Sequence, residues 1–192
     1  METGFDSQTE VTGDWRSGSA AALHADGHWF ESDISHLINN NKKSIMEKLF
    51  KLLSDAQASL FVLFQKTWIY HWDVVGPDFQ QLHTLFGGQY EAMFEEIDTL
   101  AEHMRYLGMK PVSTLSRIIE VTQIEQASNS AQDIGAMEMV RQLRDDNKKI
   151  VEIFSDISEE ADKQKQFATS NLVQSLMETH GKFHWMLRSV LE

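Results

Sequence analysis

The sequence predicts an all-α protein, folded as an antiparallel four-helix bundle with a short extra helix in the connection between the second and third long helices. Apolar residues recur at three- and four-residue spacings over four long stretches, a pattern typical of amphipathic helices. No stretch shows the alternation typical of strands, and the chain has only two prolines. At 192 residues, of which 42% are hydrophobic, the chain is long enough for one domain with a sizeable core.

Residues 1–40 are predicted to form an acidic, flexible N-terminal tail, followed by the bundle over residues 41–192. This segment is rich in Gly, Ser, Asp and Asn and has no sustained helical stripe. Seven acidic residues against Arg16 alone give it a net charge of −6. His24, His28 and Glu31 form a candidate metal site within it, and the alternative is a solvated polar linker.

The first long helix is predicted from about Asn41 to about His71. Gly76 and Pro77 then supply a break, and Asp78 is placed to cap the helix that follows. The apolar stripe of the first helix consists of Ile45, Leu49, Leu52, Leu53, Ala56, Leu60, Leu63 and Phe64.

The second long helix is predicted to end near Leu107, with Gly108 and then Pro111 beyond its end. Gly87 and Gly88 are costly inside a helix, so a local kink or a close approach of another helix is expected there. Its apolar positions are Phe79, Leu82, Phe86, Tyr90, Met93, Phe94, Ile97, Leu100, Ala101 and Met104.

The rest of the chain predicts a short helix at 113–120, a loop and two more long helices. The third begins near Ile134, a polar link occupies 162–166, and the fourth runs towards the C-terminus. The apolar positions are Val140, Leu143, Ile150, Ile153, Phe154 and Ile157 in the third, and Leu172, Val173, Leu176, Phe183, Trp185, Met186, Leu187, Val190 and Leu191 in the fourth.

Composition excludes several classes of protein. No apolar run is long enough to span a membrane, and the N-terminus lacks the pattern of a secretory signal, so a cytoplasmic location is expected. With no cysteine, His, Asp and Glu are the remaining strong metal ligands. The net charge of −12 argues against a general affinity for nucleic acid, which requires clustered Lys and Arg.

Two histidines and two carboxylates form a candidate metal site. His71 and His83 are twelve positions apart on the apolar faces of the first two helices. Asp98 and Glu102 are four apart, so both project from one edge of the second helix. The alternative is that the histidines are core residues and the carboxylates belong to a solvated face that includes Glu96.

The spacing along the second helix predicts a site shared between subunits. His83 and Asp98 are fifteen residues apart, about 22 Å along a continuous helix. They cannot bind one metal ion within a subunit. In a two-fold dimer with these helices antiparallel, the histidine end of one copy would face the carboxylate end of the other. The Glu-x-x-His pairs of an intra-bundle di-iron site are absent from the sequence.

The chain closely resembles the Dps family of mini-ferritins, which protect DNA during starvation, in the segments YHWDVVGPDFQQLH, QYEAMFEEIDTLAEH, RYLGMKP and FHWMLRSVL. The resemblance spans residues 43–191 and implies a ferritin-like bundle. It implies that His71 and His83 come from one subunit, and Asp98 and Glu102 from its two-fold partner. It also implies a hollow dodecamer that oxidises Fe(II), preferentially with hydrogen peroxide rather than O2, and stores ferric mineral inside.

Imidazole and carboxylate ligands suit iron, and anionic oxygens favour Fe(III) over Fe(II). Zn(II) is expected to bind the same site in vitro. Trp72 matches an aromatic residue of the family and is a candidate to accept an oxidising equivalent; the alternative is packing alone. The family often has an acidic residue four positions after the second histidine, where this chain has Gly87, and Glu91 is the candidate substitute.

Two further departures concern access and DNA. Asn171 stands where an aspartate is common at the family's iron-entry pore, and Lys163 and Lys165 lie nearby. Members that bind DNA directly usually use a Lys-rich tail, whereas this tail is acidic. The acidic residues that could offset the pore lysines are Glu159, Glu160 and Asp162.

The leading hypothesis is therefore an iron-storage and detoxification protein with ferroxidase activity. The alternative is a DNA-protecting nucleoid or shell protein with a weak or vestigial metal site. A third hypothesis is a cage that sequesters zinc or copper through the histidines of the tail.

Overall fold

The computed structural model describes residues 46–127 and 134–192. Its helices are α1 (46–73), α2 (Phe79–Tyr106), α3 (Leu115–Val121), α4 (Ala136–Lys163) and α5 (Phe167–Leu191). Every regular element within these two ranges is helical, which confirms the all-α prediction. The helices belong to one compact unit, Ile45–Glu192. The tail predicted at residues 1–40 lies outside the described residues.

Contacts between side chains set the order of the four long helices. On α1, the Lys48 ammonium pairs with Glu160 late in α4, whereas Lys66 pairs with Asp146 early in α4 at 2.8 Å. These two helices are therefore antiparallel. The α1–α2 pair is antiparallel as well, because Phe64 packs against Phe94 at a centroid distance of 6.1 Å while the C-terminal end of α1 meets the start of α2.

The second hairpin, α4–α5, is built in the same way and packs against the first. Asn147 contacts His180 and Ser158 contacts Ser170, so α5 runs back along α4. Since α4 is antiparallel to α1, it runs parallel to α2. The chain must therefore cross the length of the bundle between α2 and α4, and the connection that contains α3 makes this crossing.

Several predicted boundaries are confirmed and others are corrected. α2 ends at Tyr106, and Gly108 follows with a φ of +81°, a left-handed conformation that glycine adopts readily. Asp78 occupies the N-cap position of α2, but its side chain accepts no capping hydrogen bond. The polar link between the last two helices is shorter than predicted, because α4 continues to Lys163.

The bundle core is mainly apolar, and several of its buried polar side chains have partners on neighbouring helices. Its largest fully buried side chains include Tyr70, Phe86 and Phe154. The Tyr70 hydroxyl donates to Gln142 on α4. Burial, with Asp146 and Glu138 nearby, raises the pKa of Tyr70 to about 12. No described helix is both long enough and apolar enough to serve as a membrane span.

Candidate metal centre

The hairpin between α1 and α2 brings His71 and His83 together. His71 lies in the last turn of α1, and His83 lies early in α2. The intervening break at 74–78 reverses the chain, and Gly76 in this break has a φ of +107°, which favours glycine. Because the two helices are antiparallel, His71 and His83, which each lie six positions from Pro77, come side by side.

Reciprocal hydrogen bonds join the two histidines. Nδ1 of His71 donates to the backbone carbonyl oxygen of His83 at 2.8 Å, and Nδ1 of His83 donates to the carbonyl oxygen of His71 at 2.8 Å. The imidazole rings stack, with centroids 3.7 Å apart and planes inclined by 20°. The sequence predicted that both residues belong to one site, and the structure brings them into direct contact.

These hydrogen bonds determine the tautomer of both rings. A carbonyl oxygen only accepts, so each Nδ1 must carry the hydrogen. Each neutral ring therefore has its lone pair on Nε2, and among the described residues neither Nε2 has a hydrogen-bond partner. A neutral imidazole whose Nδ1–H is held by a carbonyl is the usual arrangement of a metal-binding histidine.

Aromatic residues and a glycine surround the pair. Tyr90 on α2 meets the His71 ring edge-to-face at 5.2 Å, and Phe79 lies 5.0 Å from the His83 ring. Gly87 is buried against His71, which confirms the close approach expected at the Gly-Gly pair. The surroundings thus hold the rings from several sides.

An aromatic surface extends from the histidines along the outer face of α1 and α2. Trp68 packs against Trp72 at 4.7 Å and against Tyr90 at 6.1 Å, and Phe64 packs against Phe94. Trp72 is 57% exposed and Phe94 is 61% exposed. The alternative interpretation, in which Trp72 serves only in packing, is therefore not met by the core of one chain. Large exposed aromatic residues clustered on one face are typical of a contact surface.

Asp98 and Glu102 lie away from the histidines. Both are exposed, one turn apart on α2. Since α2 is continuous from Phe79 to Tyr106, Asp98 lies about 22 Å along the helix from His83. Glu91, between them on α2, is also exposed. Among the described residues of one chain, no group of three or more His, Asp or Glu side chains could hold a metal ion.

A shallow groove adjoins Glu102 at the junction of α2 and α5. In this groove Nε2 of His103 lies 2.9 Å from the Thr169 hydroxyl, and burial lowers the pKa of His103. Its lining residues are Thr99, Glu102, His103, Tyr106, Ala168 and Leu172. Because His103 is engaged with α5, it does not turn towards the carboxylates of the candidate site.

The sequence did not single out a polar network in the bundle interior. His180 on α5 is fully buried, with Nδ1 2.7 Å from the Asn147 side-chain oxygen and Nε2 3.1 Å from a Glu96 carboxylate oxygen. Asn147 in turn donates to the carbonyl oxygen of Leu143. Glu96, which one interpretation placed on a solvated face, is only 8% exposed. The sequence signal that could have revealed this network was a His, an Asn and a Glu at core positions of three different helices.

The remaining predicted positions are distributed as follows. The structure pairs Glu160 with Lys48 and Glu159 with Lys163, the latter at 3.9 Å. These carboxylates are thus already engaged by lysines of the same chain. Asn171 is exposed on α5. His24, His28 and Glu31 of the candidate tail site lie outside the described residues.

Comparisons with known proteins identify the architecture independently. The Ferritin-like domain family model matches residues 50–192. The DNA protection during starvation protein of Brevibacillus brevis is 32% identical over 154 residues, which cover 79% of this chain and 99% of that protein. The X-ray structure of Dps from Thermosynechococcus elongatus matches with a TM-score of 0.76 at 26% identity, covering 79% of this chain and 95% of that chain.

A second similar structure belongs to a protein with known metal chemistry. Dps from Vibrio cholerae O1, described as a member of a broad superfamily of ferritin-like diiron-carboxylate proteins, matches with a TM-score of 0.73 at 28% identity. The match covers 78% of this chain and 92% of that chain.

Proposed function

Since the chain belongs to the Dps family of ferritin-like proteins, we propose that it oxidises Fe(II) at sites shared between subunits and stores the ferric product in a hollow oligomer. Family membership supports iron storage or DNA protection in general. The single observation that favours iron chemistry in this chain is the His71–His83 pair, whose Nε2 lone pairs are left for a metal ion by the reciprocal hydrogen bonds.

The carboxylate half of the site would come from a second copy. Asp98 and Glu102 are exposed and lie about 22 Å along α2 from His83. In a two-fold dimer with antiparallel α2 helices, the two halves would meet twice. The exposed aromatic surface around Trp72 and Phe94 supports this association, because burying it removes apolar area from water.

The proposed donor set fits iron as the substrate. Two imidazole nitrogens suit Fe(II), and two anionic carboxylates stabilise Fe(III) more strongly than Fe(II). Binding therefore lowers the reduction potential of the bound ion and favours its oxidation. Zn(II), which accepts the same nitrogen and oxygen ligands, is expected to compete for the site.

Hydrogen peroxide is the proposed oxidant, with O2 as the slower alternative. Two ferrous ions each lose one electron, the O–O bond of one peroxide breaks, and two protons are taken up to give two water molecules. Because both electrons reach the same peroxide, no hydroxyl radical is released. Glu91 is proposed as an accessory ligand for the second ion, and Trp72, adjacent to His71, as an acceptor of a stray oxidising equivalent.

Twelve subunits in a closed shell built from two-fold dimers are the proposed assembly, with the ferric mineral inside and the protein in the cytoplasm. Structural neighbours named as Dps support an assembly of identical subunits. The histidines of the tail, with Glu31, remain a separate proposal for binding zinc or copper. Removing residues 1–40 and finding unchanged metal stoichiometry would contradict it.

DNA protection through direct binding is the second candidate function, favoured by the name of the Brevibacillus brevis relative. The net charge of −12 per chain and the acidic tail oppose strong binding to phosphate groups at physiological salt. A protein of this kind would retard DNA at moderate salt and show no fast iron oxidation.

The test is anaerobic addition of Fe(II) followed by hydrogen peroxide, with ferric absorbance and particle mass recorded together. The wild type is expected to consume two ferrous ions per peroxide and to gain mass. A variant with His71→Ala, His83→Ala, Asp98→Asn and Glu102→Gln is expected to lose fast oxidation. The control is Glu95→Gln, which removes an exposed carboxylate of the same helix. Equal rates in all three proteins, or a monomer that never mineralises, would contradict the proposal.

A further inference from the structure

Gly87 lies one turn after His83 on α2 and is buried against the other histidine. A Cβ atom added at Gly87 would be 3.3 Å from Cε1 and 3.4 Å from Nδ1 of His71. The 3.3 Å distance is tighter than ordinary van der Waals contact, so a side chain at this position requires the imidazole to move by a few tenths of an ångström. The second-nearest atom, Nδ1, is the atom that donates its hydrogen to the carbonyl oxygen of His83.

Gly88, the next residue, provides a direct comparison. A Cβ atom added there would meet nothing within 4 Å. Both residues are inside the same helix, where glycine costs stability relative to alanine. An added side chain would therefore crowd His71 at position 87 and would meet open space at position 88.

The His71 ring has little room to move away from an added side chain. It stacks on the His83 ring at 3.7 Å, and Tyr90 lies edge-to-face with it at 5.2 Å. A displacement of the ring would lengthen its Nδ1 hydrogen bond or separate it from His83. Either change would weaken the selection of the tautomer that leaves Nε2 for a metal ion.

We propose that Gly87 is a positioning residue for the metal-binding histidine: the absence of its side chain seats the His71 imidazole and keeps the hydrogen on Nδ1. The metal-binding aspect rests on the proposed function of the site. In this account Gly87 acts by packing and is not simply the place of a missing ligand.

Three variants separate packing from ligand loss. Gly87→Ala adds a Cβ atom without a ligand, Gly87→Asp adds a Cβ atom with a carboxylate, and Gly88→Ala adds a Cβ atom in open space on the same helix. If Gly87 acts by packing, Ala and Asp at this position are both harmful. If it is a missing ligand, Asp improves metal binding and Ala has little effect.

The experiment uses the assembled full-length protein. Imidazole ¹⁵N NMR of the metal-free protein reports the tautomer, with a His71→Gln variant to assign the signal, and calorimetry with Zn(II) reports affinity without redox chemistry. The wild type and Gly88→Ala are expected to show the Nδ1–H tautomer and equal affinities. Gly87→Ala is expected to shift the His71 signal and to bind Zn(II) about tenfold more weakly, the size typical of changes that misorient a ligand.

An Nε2–H tautomer for His71 in the wild type, or an unchanged tautomer and affinity in Gly87→Ala, would overturn the inference. Tighter zinc binding by Gly87→Asp than by the wild type would overturn it as well. If the wild type bound no zinc, the proposed function would fail, while the NMR signal of the metal-free protein would still decide whether Gly87 seats His71.

Discussion

The interior histidine and the histidine pair at the hairpin differ in how many of their ring nitrogens have hydrogen-bond partners. His180 is fully buried, and its two ring nitrogens face Asn147 and Glu96. In the pair, each Nδ1 is engaged by a backbone carbonyl, and the described residues offer Nε2 no partner. The hydrogen-bond partners, and not burial alone, distinguish a structural histidine from one prepared to bind a metal ion.

The two regions also differ in what completes them. The network of Glu96, Asn147 and His180 is closed within one chain and spans α2, α4 and α5. The hairpin pair supplies two imidazoles, and the carboxylates predicted to join them, Asp98 and Glu102, lie about 22 Å along α2 from His83. The first region is therefore complete within one chain, whereas under the proposed function the second requires carboxylates from another subunit.

The largest expected effect comes from breaking the closed network. His180→Leu would leave the Glu96 carboxylate buried without its partner, and we expect the free energy of unfolding to fall by about 3–5 kcal/mol. Iron oxidation per folded oligomer should be unchanged. Urea unfolding at fixed protein concentration measures the first quantity, and stopped-flow oxidation measures the second.

His71→Leu is the matched variant for this comparison. It removes one partly exposed hydrogen bond, so its cost in stability should be nearer to about 1 kcal/mol, while fast oxidation is lost. Equal losses of stability in the two variants would remove the distinction between the regions.

The next effect concerns the exposed aromatic surface around Trp72 and Phe94, which is proposed to contact the second copy. Phe94→Asp places a charge on the exposed aromatic surface, and we expect association to weaken at least about tenfold, or about 1.4 kcal/mol. Iron oxidation in dilute solution should fall in parallel, because each site would lose its partner's carboxylates. Light scattering and oxidation rates over a concentration series test this. Lys148→Gln, an exposed substitution on α4 with the same change in charge, should alter neither.

The last effect appears only at alkaline pH and is a loss of stability that arises from Tyr70. Its pKa is about 12 in the folded chain and 10.0 for an ordinary tyrosine, so between these values the unfolded state releases the proton and the folded state retains it. Stability from this group is present below pH 10 and falls as the pH rises to about 12. Tyr70→Phe should show a shallower decline in unfolding midpoint over this range. Identical slopes in the two proteins would contradict the assignment.

Much of the fold could be predicted because apolar periodicity is a local signal. The four long helices and the short helix α3 appear where the stripes predicted them. The predicted end of α4 came too early, because Asp162 and Lys163 are residue types that occur both in helices and in the links between them. The chain leaves the helix through Lys165, whose φ is +58°, and a lysine gives no sequence signal for that conformation.

The site could be predicted only in part. Spacing in the sequence and the family resemblance identified His71 and His83, which the structure places in contact. The hydrogen bonds that fix their tautomer could not be predicted, because their acceptors are backbone carbonyls that every residue has. Glu96 was placed on a solvated face, and its burial depends on His180, which is eighty-four positions away in the sequence. Whether Asp98 and Glu102 complete the site remains a prediction.

The most direct test of the shared site mixes two inactive subunits. One carries His71→Ala and His83→Ala, the other carries Asp98→Asn and Glu102→Gln, and each is expected to be inactive alone. If ligands come from two chains, every mixed dimer contains one intact site out of two. Random mixing in equal amounts should then restore about one quarter of the wild-type oxidation rate per chain. No recovery in mixed oligomers of confirmed composition would contradict the account, because a site contained within one chain cannot be rebuilt by mixing.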